Sequence, residues 1–203
     1  MKLLIATTNK GKIEMFKSIF RRKAIYIVFL NQIGFKGEPP AENGKTPEEN
    51  ALIKARYYCQ KTGLPTLADD SGFCIDALNG EPGVMARRWG GELPDKISDE
   101  DWLTHYENRI RRVRRKKITG SFPFSRAIAF PDGRTFVQND KIEILLSKTP
   151  RRPFQAGFPV SSVHVFPDGR HCLDVSHDDP VWRQHWKKEG FFDLLKRAGL
   201  VAE

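Results

Sequence analysis

Two adjacent carboxylates, Asp69 and Asp70, end the apolar run of "LPTLADDSGF". Asp-Asp-Ser-Gly is good turn chemistry, yet neighbouring like charges are costly unless water, a cation or a metal compensates them. With Glu42 they make a set of hard oxygen ligands of the kind magnesium uses beside substrate phosphates, where two or three carboxylates suffice. A carboxylate here could also orient and deprotonate a water for attack on phosphorus. The segment "TTNKGK", Thr7 to Lys12, offers complementary charge. Its amides and the helix start after it favour an anion, and Lys10 and Lys12 add positive charge. It is not the G-x-x-x-x-G-K-[ST] phosphate loop, because it holds one glycine at the wrong spacing. Taken singly, both segments read more simply as a strand-end turn and a surface turn with two lysines.

The elements that must position these residues follow from apolar spacing. "KLLIA" suits a buried strand, and "TTNKGK" is the polar turn after it. A helix follows, with Ile13, Phe16, Ile19 and Phe20 on one face, and then "IYIVFL" as a second strand. Strand, loop, helix and strand make an α/β unit with a crossover. The Pro and Gly density of "FKGEPPAENGK" predicts a loop, which carries Glu42. "TPEENALIKARYYCQKTG" is the clearest helix: Thr46 caps it, Pro47 opens it, Glu48 and Glu49 fill the first turn and Gly63 ends it. On it Asn50 and Lys54 lie four residues apart and share a face. Beyond Phe73 come a strand, a turn and a glycine-rich loop with Arg87 and Arg88. "SDEDWLTHYENRIRRVRRKK" predicts a second capped helix from Ser98, acidic at its start and basic at its end, with Trp102 and Tyr106 facing the core. "FPDGR" occurs at 130–134 and 166–170, which predicts two hairpins with one turn solution. "VWRQHWKKEGFFDLLKRAGL" closes the chain as an amphipathic helix. The expected fold is α/β, a mixed central sheet with flanking helices, in a single domain over 1–203 without a visible linker.

The formal net charge is +9, and much of it sits in "RIRRVRRKK", Arg109 to Lys117. Such a surface favours polyanions, although a solvated helix face is the plainer reading. No RNA-stacking aromatic pattern or zinc-finger spacing accompanies it. No apolar run approaches membrane-spanning length, and the first residues lack the long apolar centre of a signal peptide. Cys59, Cys74 and Cys172 are scattered, odd in number and without a C-x-x-C pair. They suggest neither a disulfide framework nor a zinc site. A reducing, cytoplasmic setting is expected.

Three motifs in order carry a resemblance. Thr7, Asn9 and Lys12 match T-x-N-x-x-K; Glu49, Asn50, Ala51, Lys54 and Ala55 match E-N-A-x-x-K-A. Ala68 to Gly72 match A-D-D-S-G, followed by Gly80, Pro82, Gly83, Arg88 and Gly91 of a G-x-P-G-x-x-S-A-R-Y-x-G segment. Over about the first half of the chain the sequence resembles the inosine triphosphate pyrophosphatase family, also called the Ham1 family. The resemblance implies the Maf/Ham1 architecture, a homodimer, and magnesium-dependent hydrolysis of nucleoside triphosphates to monophosphate and pyrophosphate. By position, Thr7, Thr8, Asn9, Lys10, Gly11 and Lys12 would line the triphosphate site, and Lys54 would reach in from its helix. Glu42 would bind metal together with Asp69 and Asp70. Asp70 would also accept the proton, and Ser71 and Arg88 would contact substrate.

The second half departs from the family pattern. The G-F-G-Y-D-P segment is reduced to "AGFPVSSVHVFPDG", which keeps Gly157 and Phe158. The K-N-x-x-S-H-R-G-x-A stretch has two poor counterparts, "SHDD" with Ser176 and His177, and "RQHWKKEG" with His185, Lys187 and Lys188. Position favours His185 and Lys187. Phe154, Phe158, Trp182 and Trp186 could stack on a base, but such residues are more often core. Reaction type is therefore expected to follow the family, with abnormal purine nucleotides such as inosine or xanthosine triphosphates as substrates. The alternatives are another nucleotide, or nucleic acid bound by residues 109–117 on an inactive scaffold.

Overall fold

The computed structural model describes residues 2–21, 25–94, 96–176, 179–185 and 189–201, and of residues 183–185 and 189 the backbone alone. In chain order the elements are β1 (Lys2–Ile5), α1 (Lys10–Phe20), β2 (Tyr26–Phe29), α2 (Pro47–Thr62), β3 (Thr66–Ser71), β4 (Phe73–Ile75) and β5 (Pro82–Gly83). They continue with α3 (Asp99–Ile110), β6 (Ile118–Ala129), β7 (Thr135–Leu146), β8 (His164–Val165), α4 (Pro180–His185) and α5 (Glu189–Arg197). The chain forms two compact units, Met1–Ser71 with Phe124–Asp140 and Lys188–Glu203, and Gly72–Pro123 with Lys141–Lys187. Two of the boundaries fall inside β6 and β7, so no change of composition marks them.

In the first unit β1 pairs in parallel with β2 and β3, and β3 runs antiparallel to the second half of β6. The sheet is mixed, as the strand and helix order suggests. Side chains alternate along a strand, so Leu3, Ile5, Leu67 and Ile128 pack with Phe16 and Phe20 of α1 and Phe191, Leu194 and Leu195 of α5. Leu4, Ala68, Ala127 and Ala129 pack with Ala51, Ala55 and Tyr58 of α2. Each large side chain so buried contributes about 2 kcal/mol. Thr46 caps α2 by accepting from the Glu49 amide at 3.2 Å, and Gly63 ends it in the left-handed conformation. The start of α1 differs from expectation. Asn9 Oδ1 accepts from the Lys12 amide at 3.1 Å, so Lys10, Gly11 and Lys12 form the first helical turn and are not a loop before it.

In the second unit β4 runs antiparallel to β5 and to the first half of β6, and β8 pairs with the end of β7. Helix α3 buries Trp102, Leu103, Tyr106 and Ile110; the Trp102 and Tyr106 rings stack at 6.0 Å, and Trp89 lies 5.3 Å from Trp102. This helix stops at Ile110 and does not continue to Lys117. Extended helically, residues 111–117 would set like charges one turn apart, as at Arg111 and Arg115 or Arg112 and Lys116, and such pairs destabilise a helix.

The two "FPDGR" turns share one solution. The Phe amide donates to the Arg carbonyl at 2.9 and 2.8 Å, and the Arg Nε donates to the Asp carboxylate at 2.8 Å in both. The first joins β6 and β7. The second is followed only by a Val165–His171 bridge, because His171 Nδ1 accepts from the Leu173 amide at 3.2 Å and starts a 3-10 turn. The expected C-terminal helix is described as two, α4 and α5. Trp182 of α4 packs at 5.9 Å on Phe166 in the second unit, whereas Phe191 and Leu194 of α5 belong to the first unit's core. Among the described residues no helix is long and apolar enough to cross a membrane.

Candidate active site

Asp70 lies within β3, 9% exposed, and α2 holds both of its oxygens. Lys54 Nζ donates to Oδ1 at 2.8 Å and Asn50 Nδ2 to Oδ2 at 3.2 Å, so residues one helical turn apart clamp a single carboxylate. The same Lys54 ammonium also donates to Glu42 Oε2 at 3.0 Å. Burial acts to lower the Lys54 pKa, but Asp70 and Glu42 outweigh it and raise it above the ordinary lysine value. The Glu42 loop reaches this position through Gly44, whose amide donates to Asn50 Oδ1 at 2.8 Å. A Cβ at Gly44 would lie 2.6 Å from that oxygen, so the approach requires glycine.

Asp69 points to the opposite face of β3. Its Oδ2 lies 2.9 Å from Lys12 Nζ in the first turn of α1. Burial alone would raise the Asp69 pKa, and the Lys12 ammonium, with Lys54 and Arg126 beyond it, brings it below the usual carboxylate range. Arg126 stands across the strand pair from Asp69, 8% exposed, with its guanidinium 4.8 Å from the Phe124 ring and 5.0 Å from Phe191. Before α1, Thr7 Oγ1 accepts from the Asn9 amide at 3.2 Å; Thr8, Asn9, Lys10 and Gly11 are exposed, leaving the helix start open to an anion.

Glu42 and Asp70 are therefore brought together by one ammonium, while Asp69 serves the other face. Among the described residues no three His, Cys, Asp or Glu side chains converge as a metal cage. The lone pairs of Glu42 and Asp70 that Lys54 and Asn50 leave open suit a magnesium ion that takes its remaining ligands from substrate and water. Ser71 is exposed at the end of β3, next to Asp70. Arg88 and Phe158 belong to the second unit, both half-buried; Phe158 packs 6.4 Å from Phe122. Lys187, His177 and Trp186 lie outside the described residues, as does the side chain of His185. The basic run begins in the last turn of α3 and continues through the turns after it. Arg109 is taken by Glu92 at 2.7 Å and by Glu81, and with Arg112, Arg114 and Arg115 it lines a cavity of about 560 Å³.

The sequence profile of the Ham1 family matches residues 3–159. The chain belongs to the Ham1 family. A dITP/XTP pyrophosphatase of Symbiobacterium thermophilum is 39% identical over 150 residues, 74% of this chain and 72% of its own length. A protein of the same name from Corynebacterium efficiens is 39% identical over 152 residues, with 74% and 72% covered. The structure of a Ham1 protein from Coxiella burnetii superposes with a TM-score of 0.77 at 23% identity, covering 95% of this chain and 98% of that one, and it bears out the α/β fold. The family match runs beyond the first half of the chain, through β7, and stops at residue 159. Gly157 and Phe158 fall just inside it, and the rest of the altered sequence lies outside, though the fold continues.

Three residues of this site escaped the sequence reading as working parts: Asn50, Gly44 and Arg126. Asn50 was visible as a helical neighbour of Lys54, and the spacing alone could have assigned it. Gly44 and Arg126 owe their places to a loop path and a strand register, for which the sequence offers no periodic signal.

Proposed function

We propose that this protein hydrolyses nucleoside triphosphates between the α and β phosphorus atoms, releasing a nucleoside monophosphate and pyrophosphate. Abnormal purine nucleotides such as dITP and XTP are the intended substrates, as the relatives' names indicate. The observation that carries the reading is the Asp70 carboxylate held at both oxygens by Asn50 and Lys54, with Glu42 on the same ammonium.

In this reading a water attacks the α phosphorus as Asp70 takes its proton; the new P–O bond forms and the bridging P–O bond breaks, and pyrophosphate leaves with the electron pair. Lys54 and Asn50 fix the carboxylate so that its free lone pairs face the water. Lys10, Lys12 and the open start of α1, with Thr7, Thr8, Asn9 and Gly11, receive the polyphosphate charge. Glu42 and Asp70 would hold magnesium, with Asp69 acting through Lys12; the chemistry the metal supplies when bound is neutralisation of phosphate charge. Ser71, Arg88, Phe158, His185 and Lys187 complete the substrate contacts. The same reading includes a homodimer in the cytoplasm, where three free cysteines raise no difficulty.

The test is pyrophosphate release from a panel of ribo- and deoxyribonucleoside triphosphates, with magnesium and with chelator. Magnesium-dependent cleavage strongest for inosine or xanthosine triphosphate is expected. Preference for another base would place a change of specificity in the altered C-terminal stretches. No cleavage of any triphosphate would overturn the reading in favour of polyanion binding by residues 109–117.

A further inference from the structure

In the second unit, the two segments assigned to substrate contact are the 3-10 turn Ala86–Gly91, which contains Arg88, and the turn that ends in Gly157 and Phe158. One carboxylate touches both. Asp99 opens α3 directly after its Ser98 cap. Its Oδ1 lies 2.5 Å from Nη1 of Arg87, the neighbour of Arg88, and its Oδ2 accepts from the Gly157 amide at 2.7 Å.

We infer that Asp99 is a positioning residue for nucleotide recognition, joining the Arg88 segment to the Gly157–Phe158 segment through the two oxygens of one carboxylate. An acidic residue in a first helical turn is favoured by the helix dipole in any case. That accounts for its charge, but not for each oxygen being taken by a different distant segment.

The surroundings fix both ends of the strap. Trp102, three residues further along α3, donates from Nε1 to the Ala86 carbonyl at 2.9 Å, so the same helix holds the start of the Arg88 turn. Arg87 Nη2 also donates to the Ile97 carbonyl, which aims its guanidinium at the helix start. On the other side, the Phe158 amide donates to the Gln155 carbonyl at 3.0 Å and Ser161 Oγ accepts from the Gln155 amide at 3.2 Å, closing the turn from within. Gly157 has φ +78°, a conformation in which its amide can face Asp99 without strain. The Asp99 side chain is 18% exposed and that of Arg87 41%, and both hydrogen bonds are charge-assisted, the stronger and geometrically more specific kind. Losing Asp99 would unlink the two segments from each other, each keeping only its own anchors, while the carboxylates and lysines of the first unit keep their own partners.

The inference rests on the proposed function, and the experiment separates the two. KM for inosine triphosphate and the inhibition constant of inorganic tripolyphosphate, which has phosphates but no nucleoside, are measured for wild type, Asp99→Ala and Asp99→Asn. Asp99→Ala is expected to raise KM for the nucleotide about ten-fold and to leave tripolyphosphate inhibition unchanged. Asp99→Asn keeps an acceptor for Gly157 but loses the charge facing Arg87, so it falls between the two and covers a failure of the alanine variant to fold. Wild-type KM in both variants overturns the inference, as does an equal weakening of nucleotide and tripolyphosphate. A wild type that turns over no triphosphate refutes the proposed function, and the inference with it.

Discussion

Asp69 and Asp70 leave β3 on opposite faces, the first to Lys12 of α1 at 2.9 Å and the second to Lys54 of α2 at 2.8 Å. Two adjacent like charges are thereby separated by the strand itself, each with its own ammonium. The alternation of a strand does what a shared metal would otherwise have to do alone.

Asp70→Asn should lower turnover by about a thousand-fold, since the amide cannot accept a proton from water. Pyrophosphate release under saturating substrate measures it. Retention of full turnover would sink the assigned role of this residue.

Lys54→Met should destabilise the fold by about 3 kcal/mol, because it leaves the buried Asp70 carboxylate facing Glu42 without a cation between them. Urea unfolding at neutral pH reads the loss, and a midpoint equal to wild type would contradict the clamp described above.

The Asp69–Lys12 pair predicts an acid dependence. Burial acts to raise the folded-state pKa of Asp69, but Lys12, together with Lys54 and Arg126, brings it below its ordinary value. Its contribution is therefore present above the unfolded pKa, about 4, and is lost as pH falls through the folded pKa. Asp69→Asn should cost about 1 kcal/mol at pH 7, and the difference from wild type should shrink as the pH falls below about 4. A pH-independent difference would rule out this origin.

Gly44→Ala should displace the Glu42 loop, since the new methyl would lie 2.6 Å from Asn50 Oδ1. The magnesium concentration for half-maximal rate should rise several-fold with little change in thermal stability. An unchanged metal requirement would place Glu42 outside the metal site.

The Cys172 thiol is pushed up to about 12 by burial and donates to the Ser161 carbonyl at 3.0 Å, whereas Cys74 is only half-buried. A disulfide exchange reagent at about pH 8 should spare Cys172 in the folded protein and react with all three cysteines after denaturation. Rapid native labelling of Cys172 would be the contrary result.

How much of this was legible in the sequence depended on whether a local pattern carried it. The Thr46 cap, Pro47, the Gly63 stop and the Asn50–Lys54 spacing are local, and α2 formed as its residues indicate. Asp-Asp-Ser-Gly has the composition of a strand-end turn, which masks the separation of Asp69 from Asp70. β3 runs on through Ser71, and a period of two would have parted them. The basic run follows a helical pattern and so suggests helix, while the repulsion between its own charges argues against it. The two compact units were invisible, since their boundaries cross β6 and β7 where nothing in the composition changes. The roles of residues such as His185 and Lys187 rest on alignment to a motif that this chain does not keep.

Where helix α2 meets the first unit's sheet, methyl groups stand among the larger Leu4 and Tyr58: Ala51 and Ala55 on one side, Ala68, Ala127 and Ala129 on the other. These alanines act as a gauge block that sets how far Lys54 and Asn50 must reach to grip Asp70. Adding two methyl groups at Ala55 or Ala68 would lift the helix by a fraction of a hydrogen-bond length. The chemistry would then be detuned by a substitution that touches no charge and leaves every polar residue of the site in place.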